Sequence, residues 1–194
     1  MVPALNTTPL LWLTQSSRYV ALLAAWIATC GSLFFSEVLG WVPCILCWYQ
    51  RILMYPLALI ITIGILRRDE HLHWSVLPFS IAGACVSLYH YLLIKTDWFP
   101  PPTCTAGIPC NVDYIDLLGF INIPFLAFTA FLIITFMMVA ATIHLFDESN
   151  ETDQPEAIPM ATTQPTSLLN GANLIAFGII ALVVTSFIVA GQLV

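Results

Sequence analysis

Hydrophobic positions along this chain fall into long uninterrupted blocks, with polar residues gathered between them. An apolar run extends from Tyr19 to about Leu39, just behind Arg18. A second goes from about Trp48 to Leu66 and stops at Arg67-Arg68-Asp69-Glu70. A third, Trp74 to about Ile94, ends at Lys95. A fourth covers about Leu117 to Phe146, and a fifth, Leu168 to Val194, carries no charge at all. At ~1.5 Å per residue, about twenty helical residues cross a hydrocarbon core of ~30 Å. Each block therefore predicts a transmembrane helix. Residues 95–116 include Trp98-Phe99-Pro100-Pro101-Pro102 and are expected outside the bilayer, because prolines leave backbone groups unpaired there. Segment 147–167, rich in Thr, Pro, Gln and acids, is expected to be a disordered linker.

Composition supports this reading. The chain has 194 residues, 59% hydrophobic and only 8% charged, whereas soluble domains carry about 25% charged residues. A water-facing surface cannot be made from that inventory, so the chain is read as an all-α, polytopic membrane protein. The net charge of −6 comes largely from Asp147, Glu148, Glu151, Asp153 and Glu156 in the linker, and no basic footprint for nucleic acid exists. Residues 1–17 lack a cationic n-region, so no cleavable signal peptide is expected. Arg18 and Arg67-Arg68 lie two crossings apart, hence on one side, and the excess of Lys and Arg marks it as cytoplasmic. The N-terminus is then cytoplasmic, while the turn at 40–47 and the loop at 95–116 are extracytoplasmic.

This topology sorts the cysteines. Cys44, Cys47, Cys104 and Cys110 share the outer face, whereas Cys30 and Cys85 fall inside the first and third spans as small packing residues. Cys44 and Cys47 open the second span after Pro43, which suits a first helical position. Backbone N–H groups and the helix dipole at that end favour a thiolate. Arg51 is four residues past Cys47, on the same helix face. It reads either as a headgroup anchor or as a cation beside a thiolate, where it would stabilise the anion developing on a quinone oxygen. In Cys104-Thr-Ala-Gly-Ile-Pro-Cys110, Gly107 and Pro109 permit the bend that a disulfide requires. That pair reads as a loop staple or an exchanging disulfide. His90 lies near the outer end of the third span, as an interfacial polar residue or a ligand. Loop acids Asp97, Asp113 and Asp116 show no partner.

These residues resemble a family. Pro43-Cys44-Ile45-Leu46-Cys47-Trp48-Tyr49-Gln50-Arg51, a late histidine in the third span and a second cysteine pair in the next outer loop are similar to the DsbB-type disulfide bond formation proteins. The short loop spacing, with Asp116-Leu117-Leu118-Gly119 and Ile123-Pro124, resembles the BdbC-like branch, and the likeness covers about residues 18–146. The resemblance implies a membrane four-helix bundle, residues 1–146; the additional C-terminal transmembrane helix at 168–194, beyond the linker, is expected from its apolar run alone. The resemblance also implies a bacterial plasma-membrane thiol–quinone oxidoreductase whose partners are a soluble, DsbA-like thioredoxin-fold dithiol oxidase and the membrane quinone pool. Electrons would pass from Cys104/Cys110 to Cys44/Cys47 and on to ubiquinone or menaquinone. Cys104 matches the mixed-disulfide position, Arg51 the quinone-binding cation, and His90 the quinone-proximal histidine. No metal is expected. Two features depart from the better-known pattern: the loop cysteines are close together in sequence, and a fifth span is present. The rivals are a vitamin K epoxide reductase-like enzyme, in which the Cys-x-x-Cys follows the loop pair, a metal-handling membrane protein using the four outer thiols, and a structural subunit with static disulfides.

Overall fold

The apolar blocks fold as helices in a computed structural model that describes residues 8–69, 71–96, 110, 114–116, 118–151 and 171–193. Helix α1 runs Thr8–Leu33 and continues into a π-helical turn, Phe34–Val38. It is followed by α2 (Ile45–Arg67), α3 (Leu72–Lys95), α4 (Ile123–Glu151) and α5 (Gly171–Leu193), with no strand among the described residues. All five contain a window long and apolar enough to cross a membrane. The protein is a multi-pass, all-helical membrane protein.

Helices α1 to α4 pack on one another around Leu22, Leu57, Ile61, Val76, Phe131, Ile134 and Met138, all buried. Their outer surface carries Leu59, Ile63, Ile81 and Phe136 in the open. In lipid such exposure costs nothing, so helix association depends on close packing and on hydrogen bonds between helices. Both are present. Gly83 of α3 lies against the Phe131 ring of α4, so closely that an added Cβ would collide with the ring edge. Thr135 donates to Ser80 at 3.0 Å, and Trp26 Nε1 donates to Thr62 at 3.1 Å. Helix α5 packs on α1 and reaches α2.

Helix boundaries differ from the apolar blocks where capping decides them. Helix α2 starts at Ile45, ahead of the apolar run that begins near Trp48 and two residues after the expected start at Pro43. Its N-cap is Cys44, in an extended conformation, and Pro43 precedes the cap instead of occupying the first helical position. Helix α4 starts at Ile123, because Asn122 Oδ1 accepts from Phe125 N at 3.1 Å as an N-cap would. Before it, Leu118 and Gly119 have φ of 58° and 78° and form a turn. At its other end α4 passes Phe146 and continues to Glu151. The remaining linker, 152–170, lies outside the described residues.

Candidate functional site

The start of α2 brings two sulfurs together by helical geometry alone. Residues three apart meet on one face of a helical turn, and here Cys44 Sγ and Cys47 Sγ are 3.2 Å apart, with Cys44 as donor. Cys44 Sγ also accepts from Cys47 N at 3.4 Å, so the thiol itself caps the helix. The hydrogen bond to Cys47, with burial added, pushes the Cys44 thiol up to about 12, against an opposing pull from His90. Cys44 is therefore the proton-bearing member of the pair. The thiolate expected at this helix end is therefore not Cys44: the bond to its neighbour and desolvation outweigh the backbone donor.

Behind Cys44 stands a buried polar chain. Gln50, one and a half turns into α2, lies 3.1 Å from His90 Nδ1 through its side-chain nitrogen. His90 Nε2 is 3.1 Å from the carbonyl oxygen of Cys110 and 3.7 Å from Cys44 Sγ. With Gln50 donating to Nδ1, the ring proton sits on Nε2 and is donated to the Cys110 carbonyl. Gln50 and His90 are both buried, and Cys110 belongs to the same apolar cluster as Cys44, Leu46 and Leu93, with Cys47 packed against it. The loop cysteine is thus held at the thiol pair by its backbone. The ligand atoms of Cys44, Cys47 and His90 all lie within 4.8 Å of one another, so this trio is the donor set a metal would find.

On its other face Cys47 meets an apolar cavity of about 550 Å³. The wall is built from α1 (Val20 to Ser32), α2 (Gln50, Arg51, Met54, Tyr55), α4 (Ile123 to Ile133) and Phe187 of α5. Residues 20 to 32 of α1 extend this lining over roughly 18 Å. Phe35, Trp41 and Tyr114 border it at the thiol end as a stack, with centroids 5.3 Å apart for the first pair and 5.4 Å for the second. Tyr114 OH donates to Val42 O at 3.2 Å and fixes that stack to the α1–α2 turn. Arg51 projects toward α1. Its Nη2 donates to Ser32 O at 3.0 Å and its guanidinium lies 5.6 Å from the Trp48 ring centroid. Ser32 also receives Tyr55 OH at 3.3 Å. The π turn opens two residues after Ser32, a widened segment of the kind found at functional sites.

The structure therefore brings Cys44, Cys47, Arg51, His90 and Cys110 to one end of the bundle. Cys47 and Arg51 line the cavity, whereas His90 on α3 faces Cys44 and Cys110 and is not part of the cavity wall. Cys104 and the intervening loop lie outside the described residues. Two smaller expectations are corrected. Asp116 has a partner, Lys95 Nζ at 3.1 Å, which ties the loop to the end of α3. Cys85 is exposed on α3 and does not pack in the core. Sequence reasoning missed Gln50, Ser32, Tyr114 and Phe187. Gln50 had a signal, a polar residue inside an apolar run beside the cysteine pair; the other three act through backbone position or distant contacts.

Taken together, five membrane helices and a paired-thiol centre between a loop cysteine and an apolar cavity define a membrane thiol–disulfide oxidoreductase. The chain belongs to the family of the disulfide bond formation protein DsbB, whose match covers residues 14–187. That match runs through the linker and into α5. The chain is 48% identical over 129 residues to disulfide bond formation protein C of Bacillus subtilis (strain 168), an alignment covering 64% of this chain and 94% of that protein. It is 50% identical over 113 residues to a probable disulfide formation protein C of Halalkalibacterium halodurans, covering 58% and 82% respectively. A probable disulfide formation protein C of Bacillus cereus (strain ATCC 14579) is 46% identical over 125 residues, 62% of this chain and 90% of the relative. No solved structure matches. Membrane disulfide-bond formation is the activity of this chain.

Proposed function

We propose that this chain reoxidises an extracytoplasmic, DsbA-like thioredoxin-fold dithiol oxidase and delivers the electrons to the membrane quinone pool. In this reading it sits in a bacterial plasma membrane with its N-terminus cytoplasmic and both cysteine pairs extracytoplasmic. The observation that carries the reading is the double exposure of Cys47, which packs with Cys44 and Cys110 on one side and lines an apolar cavity with Arg51 on the other.

The thiol steps balance as follows. A thiolate of the reduced partner attacks Cys104 of the Cys104–Cys110 disulfide, and the partner's second thiol resolves the mixed disulfide, leaving both loop cysteines reduced. Cys110 then attacks Cys44 of a Cys44–Cys47 disulfide, since those two share one buried cluster, and Cys47 leaves facing the cavity. Cys104 attacks Cys110, restoring the loop disulfide and releasing Cys44 as a thiol. His90 holds the Cys110 carbonyl during these exchanges and Gln50 fixes its tautomer. Return of Cys44 and Cys47 to the disulfide releases two electrons and two protons. A quinone in the cavity supplies the acceptor for both. The residues fit such a molecule: the wall is apolar, Arg51 brings a fixed positive charge beside Cys47, and the length suits an isoprenoid tail.

The test is purified protein with quinone and a reduced thioredoxin-fold substrate. Turnover that requires quinone and stops in Cys104→Ser supports the relay, and turnover unaffected by replacing Cys44 or Cys47 refutes it. One observation favours a second reading, metal handling, namely the Cys44–Cys47–His90 donor set. Stoichiometric metal in the purified protein, lost on Cys→Ser exchange, would establish it.

A further inference from the structure

We propose that α5 completes the wall of the cavity and that Phe187 is a specificity-determining residue, setting which quinone head group the cavity accepts. This rests on the quinone reading above and assigns a task to the fifth helix.

Helix α5 adheres to the bundle by one narrow stripe. Asn173, Ala176 and Val183 are buried, Ile179 packs against the core cluster, and Phe187 and Gly191 continue the line. Their spacings of three and four residues place them on a single helix face. The opposite faces carry Leu174, Ile175, Phe177, Leu182, Ile188 and Val189 in the open, as lipid contact allows. Beside Gly31 and Phe34 of the first helix and its π turn, the stripe places an aromatic ring in the cavity wall.

The surroundings of that ring fix which part of the cavity it controls. Phe187 meets Phe34, the first residue of the π turn, edge to face with centroids 6.0 Å apart. It also covers Gly31, where a Cβ would sit 3.8 Å from Phe187 Cζ, so the ring lies near bare α1 backbone. The next residue is Ser32, whose carbonyl holds Arg51. Phe187 is therefore at the Arg51 end of the cavity, whereas Val20, Leu23 and Ile133 line it further along α1 and α4. An aromatic wall at the charged end limits the width available to a ring system and offers it an edge or a face. A single-ring benzoquinone and a fused-ring naphthoquinone differ in that dimension. Phe187 has little bearing on the tail.

Saturable quenching of intrinsic tryptophan fluorescence tests this, since Trp41 borders the cavity. The full-length oxidised protein in detergent is titrated with a decyl-substituted benzoquinone and with 2-methyl-1,4-naphthoquinone, without turnover. For Phe187→Ala the ratio of the two dissociation constants is expected to shift about threefold to tenfold toward the fused ring. Phe187→Trp should move the ratio the other way, and Phe177→Ala, on the lipid face of α5, should leave it alone. Phe187→Leu provides a milder variant should the alanine form lose its monodisperse profile. If wild type is saturated by the probes and every Phe187 variant keeps the wild-type ratio, the inference is overturned and the quinone reading stands. An equal loss for both probes also overturns it, reducing Phe187 to general packing. If neither probe saturates wild type, the quinone reading fails and takes this inference with it.

Discussion

The first two turns of α2 have two unlike faces. One holds Cys44 and Gln50 against His90 and the Cys110 carbonyl, in a buried, hydrogen-bonded setting. The other holds Cys47 and Arg51 against an apolar cavity that follows α1 down through the bundle. Thiol exchange needs sulfurs held in line with one another, which the polar face does by pinning a loop backbone. In the proposed reading, electron delivery to a lipid-borne acceptor needs an apolar site and one fixed charge, which the cavity face offers. Cys47 lies between the two, and Gln50 is shared by both, touching His90 while also lining the cavity. The comparison teaches that the Cys-x-x-Cys spacing does more than permit a disulfide. It leaves Cys44 in the polar setting and puts Cys47 where the two settings meet.

The largest effect should come from removing the junction. Cys47→Ser is expected to reduce quinone-dependent turnover to background, with Cys44→Ser equally severe, because neither face can reach the other without the pair. Arg51→Ala should come next, raising the KM for quinone about tenfold to a hundredfold while leaving stopped-flow thiol exchange between the loop pair and Cys44–Cys47 unchanged. An unchanged quinone dependence would return Arg51 to the role of headgroup anchor. His90→Ala should do the reverse, slowing that exchange about tenfold by loss of a buried hydrogen bond and sparing the quinone KM. A shift in quinone KM for His90→Ala, with exchange intact, would dissolve the division of labour between the faces.

Much of this was legible in the chain. Five apolar blocks predicted five spans, since a bilayer imposes both length and composition on anything that crosses it. The cysteine pair and Arg51 were legible because their spacing is local, and a helix converts three- and four-residue offsets into contact without outside help. His90 was found, but its side of α2 was not, because that depends on how α3 packs against α2. Its resemblance-based role beside a quinone and its observed contact with Cys44 and Cys110 are different assignments, and the His90→Ala experiment separates them. Ser32 was invisible for another reason: it acts through a carbonyl, which every residue possesses. Phe187 reads in sequence as one more apolar residue of a charge-free block, and only the packing of α5 on α1 gives it a place in the cavity. The boundary at Ile45 was missed because a sulfur, rather than a hydroxyl or carboxylate, caps the helix.

The smallest predicted effect concerns the proton on Cys44 and tests the polar face by itself. Because its thiol is pushed up to about 12, Cys44 should remain protonated at every pH the protein normally meets. At pH 8 its thiolate fraction would be on the order of 10⁻⁴, against about a quarter for an ordinary thiol of pKa 8.5. The sign follows from the causes: a bond donated to Cys47 and burial both favour the neutral form, while the His90 ring opposes them. Alkylation of the reduced protein by iodoacetamide, followed by peptide mass spectrometry, should label Cys44 slowly, with a rate still climbing at pH 10. His90→Ala removes the opposing influence and should slow Cys44 labelling further, by a few-fold. If Cys44 instead labels as a free thiol with a plateau near pH 9, the hydrogen bond from Cys44 to Cys47 is not the resting arrangement. The two sulfurs would then be equivalent, and the contrast between the two faces of α2 would rest on Arg51 and His90 alone.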